Sequence, residues 1–184
     1  MMKKILAAIV LLSATQVSDA QSVLLATGGK VSFFSETPME NIDATSQSAT
    51  SVITTSTNSI QFTIPVRTFK FKKALMEEHF NEKYVESEKF PKSLFKGKIN
   101  EAINWSRDTV ATVTATGVMD LHGVNKMITE TGKLTIKNGV VILDFVFMIA
   151  LRDYSIEVPK VVTQSIAETI RVSGSFTYKP YEKK

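Results

Sequence analysis

The chain has no cysteine and only two histidines in 184 residues. Without cysteine there are no disulfides, no thiol nucleophile and no thiolate metal ligand. The lipid-anchoring residue that a bacterial lipoprotein carries after its signal is missing too. Packing alone must hold the fold. Metal binding wants three or four converging ligands, whereas His79 and His122 stand 43 positions apart without a closely spaced carboxylate partner. No metal site and no cofactor are expected. A basic stripe is also absent, because the lysines are scattered among glutamates, so nucleic acid is not an expected partner.

What is present begins with "MMKKILAAIVLLSATQVSDA", which has two lysines, an apolar run from Ile5 to Leu12, and small residues at Ser18 and Ala20. That order is a secretory signal peptide, with cleavage expected after Ala20. The run falls far short of the roughly 20 residues that span a bilayer, so no retained membrane span is expected. Residues 1–20 are therefore set aside, and the protein is expected to be periplasmic or secreted. Gln21 to Lys184 has the length of one domain. Without Lys3, Lys4 and Asp19, the totals of 22 basic and 18 acidic residues leave a mature net charge of about +3.

Alternation dominates this domain. "SIQFTIPV" puts Ile60, Phe62, Ile64 and Val66 on one face, and "TVATVTATGVMDL" sets Ala111, Val113, Ala115, Gly117, Met119 and Leu121 against threonines and Asp120. Both have the two-residue period of a half-buried strand. Turn signals recur at "TSTNS", at His122-Gly123 and at "KNG" (Lys137 to Gly139). The Ser/Thr-rich stretch from Thr45 to Ser59, with Ala49, Val52 and Ile53 interleaved, reads as a weak strand pair. "VVILDFVFMIAL", Val140 to Leu151, is apolar on both parities apart from Asp144. Such a strand is covered on both faces, which leaves room for a homodimer face. One segment breaks the pattern, with helix formers from Lys73 and Ala74, Leu75, His79 and Phe80 along one side. It predicts a short helix near 73–82.

The catalytic motifs fail on inspection. "VSGSF" at Val172 to Phe176 lacks the Gly-x-Ser-x-Gly pattern and lies in a predicted strand. "GGK" at Gly28 to Lys30 lacks the rest of a phosphate loop and reads as a lead into the first strand. "LRDY" at Leu151 to Tyr154 reads as a charged turn at a strand end, or as Arg152 or Tyr154 at a pocket mouth. No catalytic residue is assigned. His122 and Gly123 read as the turn of a β-hairpin.

The whole is an all-β, antiparallel sheet of about eight strands with one short helix. Exposed edges invite aggregation, and closure into a barrel removes them. At about eight strands a barrel is either filled by side chains or holds one small ligand.

Two segments carry a resemblance. "FKKALMEEHFNEKYVESEKFPKSLFKGKI", Phe71 to Ile99, resembles the helix, Phe-Asn turn, Phe-Pro step and strand in the middle of the YceI-like family. "ATGVMDLHGVNKMI", Ala115 to Ile128, resembles that family's His-Gly hairpin. The likeness extends more weakly from Val31 to Tyr178, and the "EEHFNEKYVESEKFP" variant resembles the form common in Bacteroidetes. Departures are Asn125, where the family often has threonine, and Met76 to His79, where it often has Arg-Asp and Leu. The resemblance implies a lipocalin-like barrel over residues 21–184, usually exported, whose lumen holds an amphiphilic lipid with an isoprenoid chain, polyprenyl or quinone-like. A bound isoprenoid is then the one small molecule to expect.

On that reading the lumen candidates are Phe33, Ile60, Phe62, Ile64, Val113, Met119, Phe145, Phe147, Ile149, Val172 and Phe176. Head-group candidates are Arg67, Lys70, Lys72 and Lys73, which could hold a diphosphate, together with Tyr154. The alternative function is a packed, exported barrel without ligand, acting through protein contacts in envelope upkeep or stress tolerance.

Overall fold

The computed structural model describes residues 23–158 and 166–181, so the expected signal segment lies outside the described residues. Nine strands follow in order: β1 (Val23–Ser35), β2 (Ile42–Thr54), β3 (Ser59–Pro65), β4 (Lys70–Phe71), β5 (Lys92–Ile99), β6 (Thr109–Leu121), β7 (Val124–Lys137), β8 (Val140–Ala150) and β9 (Thr169–Pro180). One α-helix, α1 (Ala74–His79), runs into a π-helical turn at Phe80–Tyr84. Eight of the strands form an antiparallel ring in the order β1-β9-β8-β7-β6-β5-β3-β2, closed by pairing of β1 with β2. The two-residue β4 continues the β3 side of β2, where Ala44 meets Phe71. This is the barrel the alternation predicts.

Two hairpin turns set register around the ring. His122 and Gly123 have φ of 55° and 73°, and Asn138 and Gly139 have 50° and 77°. Two positive φ values in a two-residue loop make the turn whose twist matches that of the flanking strands. The His122 turn lies at one end of the barrel and the Asn138 turn at the other.

The Asn138 end is packed solid. Tyr178, Phe176, Ile53 and Leu134 are fully buried there. Trp105 Nε1 donates to Asn58 Oδ1 (2.9 Å), and the Glu101 carboxylate accepts the Thr114 N–H (2.8 Å), which pins the β5–β6 connection beneath the core. That bond holds the Glu101 carboxyl below its ordinary range. In the core itself the Tyr178 hydroxyl lies 2.7 Å from Ser51 Oγ, and Ser51 Oγ donates onward to the Gln61 carbonyl. Tyr178 is therefore the donor to Ser51, and burial pushes its phenol far above the usual range. The two truncations should differ in cost. Tyr178→Phe removes a donor and leaves Ser51 paired, at about 1 kcal/mol, whereas Ser51→Ala strands a buried hydroxyl and the Gln61 carbonyl, at about 2 kcal/mol. Urea unfolding checks the order.

Several expectations need correction. The stretch from Thr45 is not a strand pair, because β2 runs unbroken from Ile42 to Thr54. Its inward residues are Ala44 and Ser46, then Ala49, Ser51 and Ile53, since register shifts opposite Gly29 change the parity midway. A bulge inserts a residue and flips the following side chains, which gives one strand the look of two. Gly28 (φ 70°) sits at that irregularity, so "GGK" lies within β1 rather than leading into it. Second, β8 is not covered on both faces among the described residues. Its odd positions point inward, while Val146 and Met148 are 59% and 57% exposed. Third, α1 buries a different side from the one expected. Leu75 is 60% exposed and Ala74 is exposed, while Met76, His79 and Phe80 are partly buried.

Candidate functional site

Toward the His122 end the core gives way to a cavity of about 370 Å3, within the range of about 300 to 1,000 Å3 typical of small-molecule sites. Its floor is aromatic. The Phe62 ring meets Phe145 at 5.5 Å and Phe176 at 4.9 Å between centroids, both edge to face. Space for the Phe145 ring comes from Gly174, its neighbour on β9; a Cβ on Gly174 would lie 2.2 Å from Phe145 Cζ.

One wall is built outside the barrel strands. After β3, Pro65 turns the chain into a single 3-10 turn at Val66–Thr68, which Thr68 Oγ1 stabilises by donating to the Pro65 carbonyl (2.6 Å). Phe69 and Phe71 follow with their rings turned inward. Phe80, at the end of α1, packs on Phe33, Phe69 and Phe71 with centroids 5.3, 5.8 and 5.0 Å away.

Among the described residues the opposite wall has a window. The β7–β8 ladder runs from Lys137↔Val140 only as far as Gly132↔Phe145. Beyond that point β7 stays paired with β6 back to Val124, and β8 stays paired with β9 out to Ala150, so the two strands part. Their far ends are tied together again. His122 Nδ1–H donates to the Tyr154 carbonyl (3.0 Å) in the 3-10 turn that follows β8, and Lys126 Nζ pairs with Asp153 (2.9 Å). His122 Nε2 lies 3.2 Å from the Glu86 carboxylate, and the ring stands edge-on to Phe90 at 4.6 Å. The histidine of the hairpin is thus a clasp between three loops as well as a turn residue.

Nine of the eleven lumen candidates line the cavity: Phe33, Phe62, Ile64, Val113, Met119, Phe145, Phe147, Ile149 and Val172. Ile60 and Phe176 lie outside that lining, in the packed end, with 2% and 0% exposure. Phe176 reaches the cavity only through its ring contacts with Phe62 and Phe145. Lining residues that alternation does not single out include Phe69, Phe71, Phe80, Phe95 and Ile128. Phe95 could have been found, since it stands in register between Phe62 and Met119.

None of the head-group candidates lines the cavity. Arg67 pairs with Glu88 (2.8 Å), Lys70 with Glu77 (2.6 Å) and Lys73 with Glu40, and Lys72 is exposed. The Lys70 pairing holds the Glu77 carboxyl below its ordinary range. Tyr154 is 4% exposed, packed in the cluster above the cavity, and burial raises its phenol. The basic cluster is a set of surface ion pairs rather than a convergent cationic pocket. Among the described residues no group of three or more His, Asp or Glu is placed to hold a metal, and no helix is long and apolar enough to cross a membrane.

A family model of the YceI-like domain matches residues 17–178. No curated protein gives a match. Among solved structures, a polyisoprenoid binding domain from Saccharophagus degradans implicated in plant cell wall breakdown superposes with a TM-score of 0.73 at 14% identity, over 88% of this chain and 99% of that one. BcnA of Burkholderia cenocepacia follows with 0.67 at 14% identity, over 81% and 95%. A Campylobacter jejuni YCEI protein gives 0.63 at 13% identity, over 80% and 90%. At such identities the likeness speaks for the fold.

Proposed function

The chain belongs to the YceI-like domain family, and from that premise we propose that it is an exported binding protein whose lumen holds an amphiphilic isoprenoid-type lipid, polyprenyl or quinone-like. The observation that carries the reading is the cavity: about 370 Å3 of space walled mostly by Phe, Ile, Leu, Val and Met, in a barrel that is packed solid elsewhere. Voids of that size are few in native interiors, which are close-packed. An apolar tail is the occupant that offsets such a surface. At about 25 cal/mol per Å2 of apolar area, a few prenyl units supply several kcal/mol before ordering costs. The lumen matches a short stretch of tail, so a longer chain continues through the mouth or the β7–β8 window.

Binding rather than catalysis is the activity. The Saccharophagus neighbour is a polyisoprenoid binding domain, which agrees with this assignment. The test is to isolate the protein from its native host, extract it with organic solvent and identify the extract by mass spectrometry. About one isoprenoid per chain is expected, and the intact mass should correspond to Gln21–Lys184. A clean extract would sink the carrier role and leave a barrel that acts through protein contacts.

A further inference from the structure

Glu130 is out of place. The inward row of β7 runs Ile128, Glu130, Gly132, Leu134, so a carboxyl faces a lumen that is otherwise apolar on that strand. It lines the cavity and is partly buried. On one side its cross-strand neighbour is Ala115, which has no polar side-chain atom. On the other side is the window, where β8 no longer pairs with β7. No hydrogen bond or ion pair to Glu130 is found among the described residues. The nearest inward cation on β7, Lys126, is engaged by Asp153. Of the six other polar side chains of the lining, His79, Tyr84 and Thr131 make no side-chain hydrogen bond among the described residues, and three are engaged. Glu40 pairs with Lys73, Ser35 Oγ accepts the Ala167 N–H, and Ser93 Oγ donates to the Asp120 carbonyl.

The charge inventory is equally one-sided. No lysine or arginine lines the cavity, and three of the four cations once considered for a head group are paired with carboxylates on the outside. A phosphate drawn into this lumen would meet a carboxylate, with His79 at the end of α1 the one side chain of the lining among the described residues able to carry a positive charge, and like charges in a desolvated site repel strongly. A hydroxyl instead supplies the donor that Glu130 lacks, and hydrogen bonds to a charged acceptor are about twice as strong as neutral ones.

We propose that Glu130, at the inner rim of the β7–β8 window, selects the polar end of the ligand, accepting a hydrogen bond from an uncharged hydroxyl-bearing head and rejecting a phosphorylated one. The inference rests on the lumen reading above and narrows it to a prenyl alcohol or a comparable hydroxyl-bearing isoprenoid. Burial holds the Glu130 carboxyl above the ordinary carboxylate range, which is the desolvation that a bound donor relieves.

The test uses delipidated protein with farnesol and farnesyl monophosphate as probes, and measures both affinities by equilibrium dialysis. The unaltered chain should favour the alcohol at least about tenfold. In the isosteric Glu130→Gln the ratio should collapse toward one, and in Glu130→Lys it should invert. If both probes bind the parent and Glu130→Gln leaves the ratio unchanged, the selector role is wrong while the lumen reading stands. If the parent prefers the phosphate, the selector role is likewise wrong. If neither probe binds a folded parent, the lumen reading fails and the selector role with it. A thermal melt of each variant guards against unfolding; Glu130→Gln removes a partly buried charge and should not lower stability.

Discussion

Ala115→Trp should empty the barrel of lipid without unfolding it. Ala115 lies midway along β6, lines the cavity, and stands between Ile99 on β5 and Glu130 on β7. An indole there projects into space that no side chain fills, so it meets the cavity before it meets packed core. Denying a tail about 100 Å2 of apolar contact removes about 2.5 kcal/mol, or roughly a 60-fold loss of affinity. The same indole gains dispersion contacts with Phe33, Phe95 and Phe145 if the lumen is otherwise empty. Lipid content by extraction should therefore fall to near background while the urea midpoint holds or rises. A folded Ala115→Trp that still carries its full lipid would place the ligand somewhere other than the lumen. A variant that unfolds would instead mark this wall as packed core, and a smaller plug, Ala115→Leu, separates the two outcomes.

Much of this architecture was legible in the sequence, for reasons specific to particular strands. In β3 and β6 one face is buried and the other solvated, so alternation reports orientation directly and puts Phe62, Ile64, Val113 and Met119 on the inward face, while the lumen itself was implied by the family resemblance. In β8 parity is uninformative because both faces are apolar. There the inward row of Phe145, Phe147 and Ile149 is established by pairing with Gly174, Val172 and Ile170 on β9. The bulge between β1 and β2 hid a single strand behind a change of phase. The aromatic wall of Phe69, Phe71 and Phe80 lay beyond reach for another reason: it comes from a turn, a two-residue strand and a π-helical turn, none of which has a simple hydrophobic period. Charge misled most. Arg67, Lys70 and Lys73 cluster in sequence, but their acidic partners come from residues 40, 77 and 88, which only the fold brings near. Glu130 escaped notice for the opposite reason, since a glutamate among threonines looks solvated until the β7 register turns it inward.

The largest effect on stability is expected from one added methyl group. Gly97 and Gly117 face each other across the β5–β6 ladder, and a Cβ on Gly117 would lie 2.3 Å from the Lys96 carbonyl oxygen and 2.4 Å from the Gly97 Cα. Both obstacles are backbone, so no rotamer change relieves them. At a site with room, Gly→Ala stabilises by about 0.4 to 1 kcal/mol through the unfolded state. Here the sign reverses, because the two strands must separate and the ring has no slack at this seam. Gly117→Ala should destabilise by about 3 kcal/mol, read as a lower urea midpoint at unchanged slope. Gly174→Ala makes a formally similar clash, with the Phe145 ring, yet it should be milder. That ring borders the cavity and has somewhere to turn, at the expense of lumen volume. The pair therefore tests the division of the barrel into a rigid ladder and a yielding cavity. Gly117→Ala should lose stability and keep its lipid while folded, and Gly174→Ala should keep most of its stability and lose lipid. Equal loss of stability in both would mean that the space around Phe145 is as tightly packed as the seam between β5 and β6.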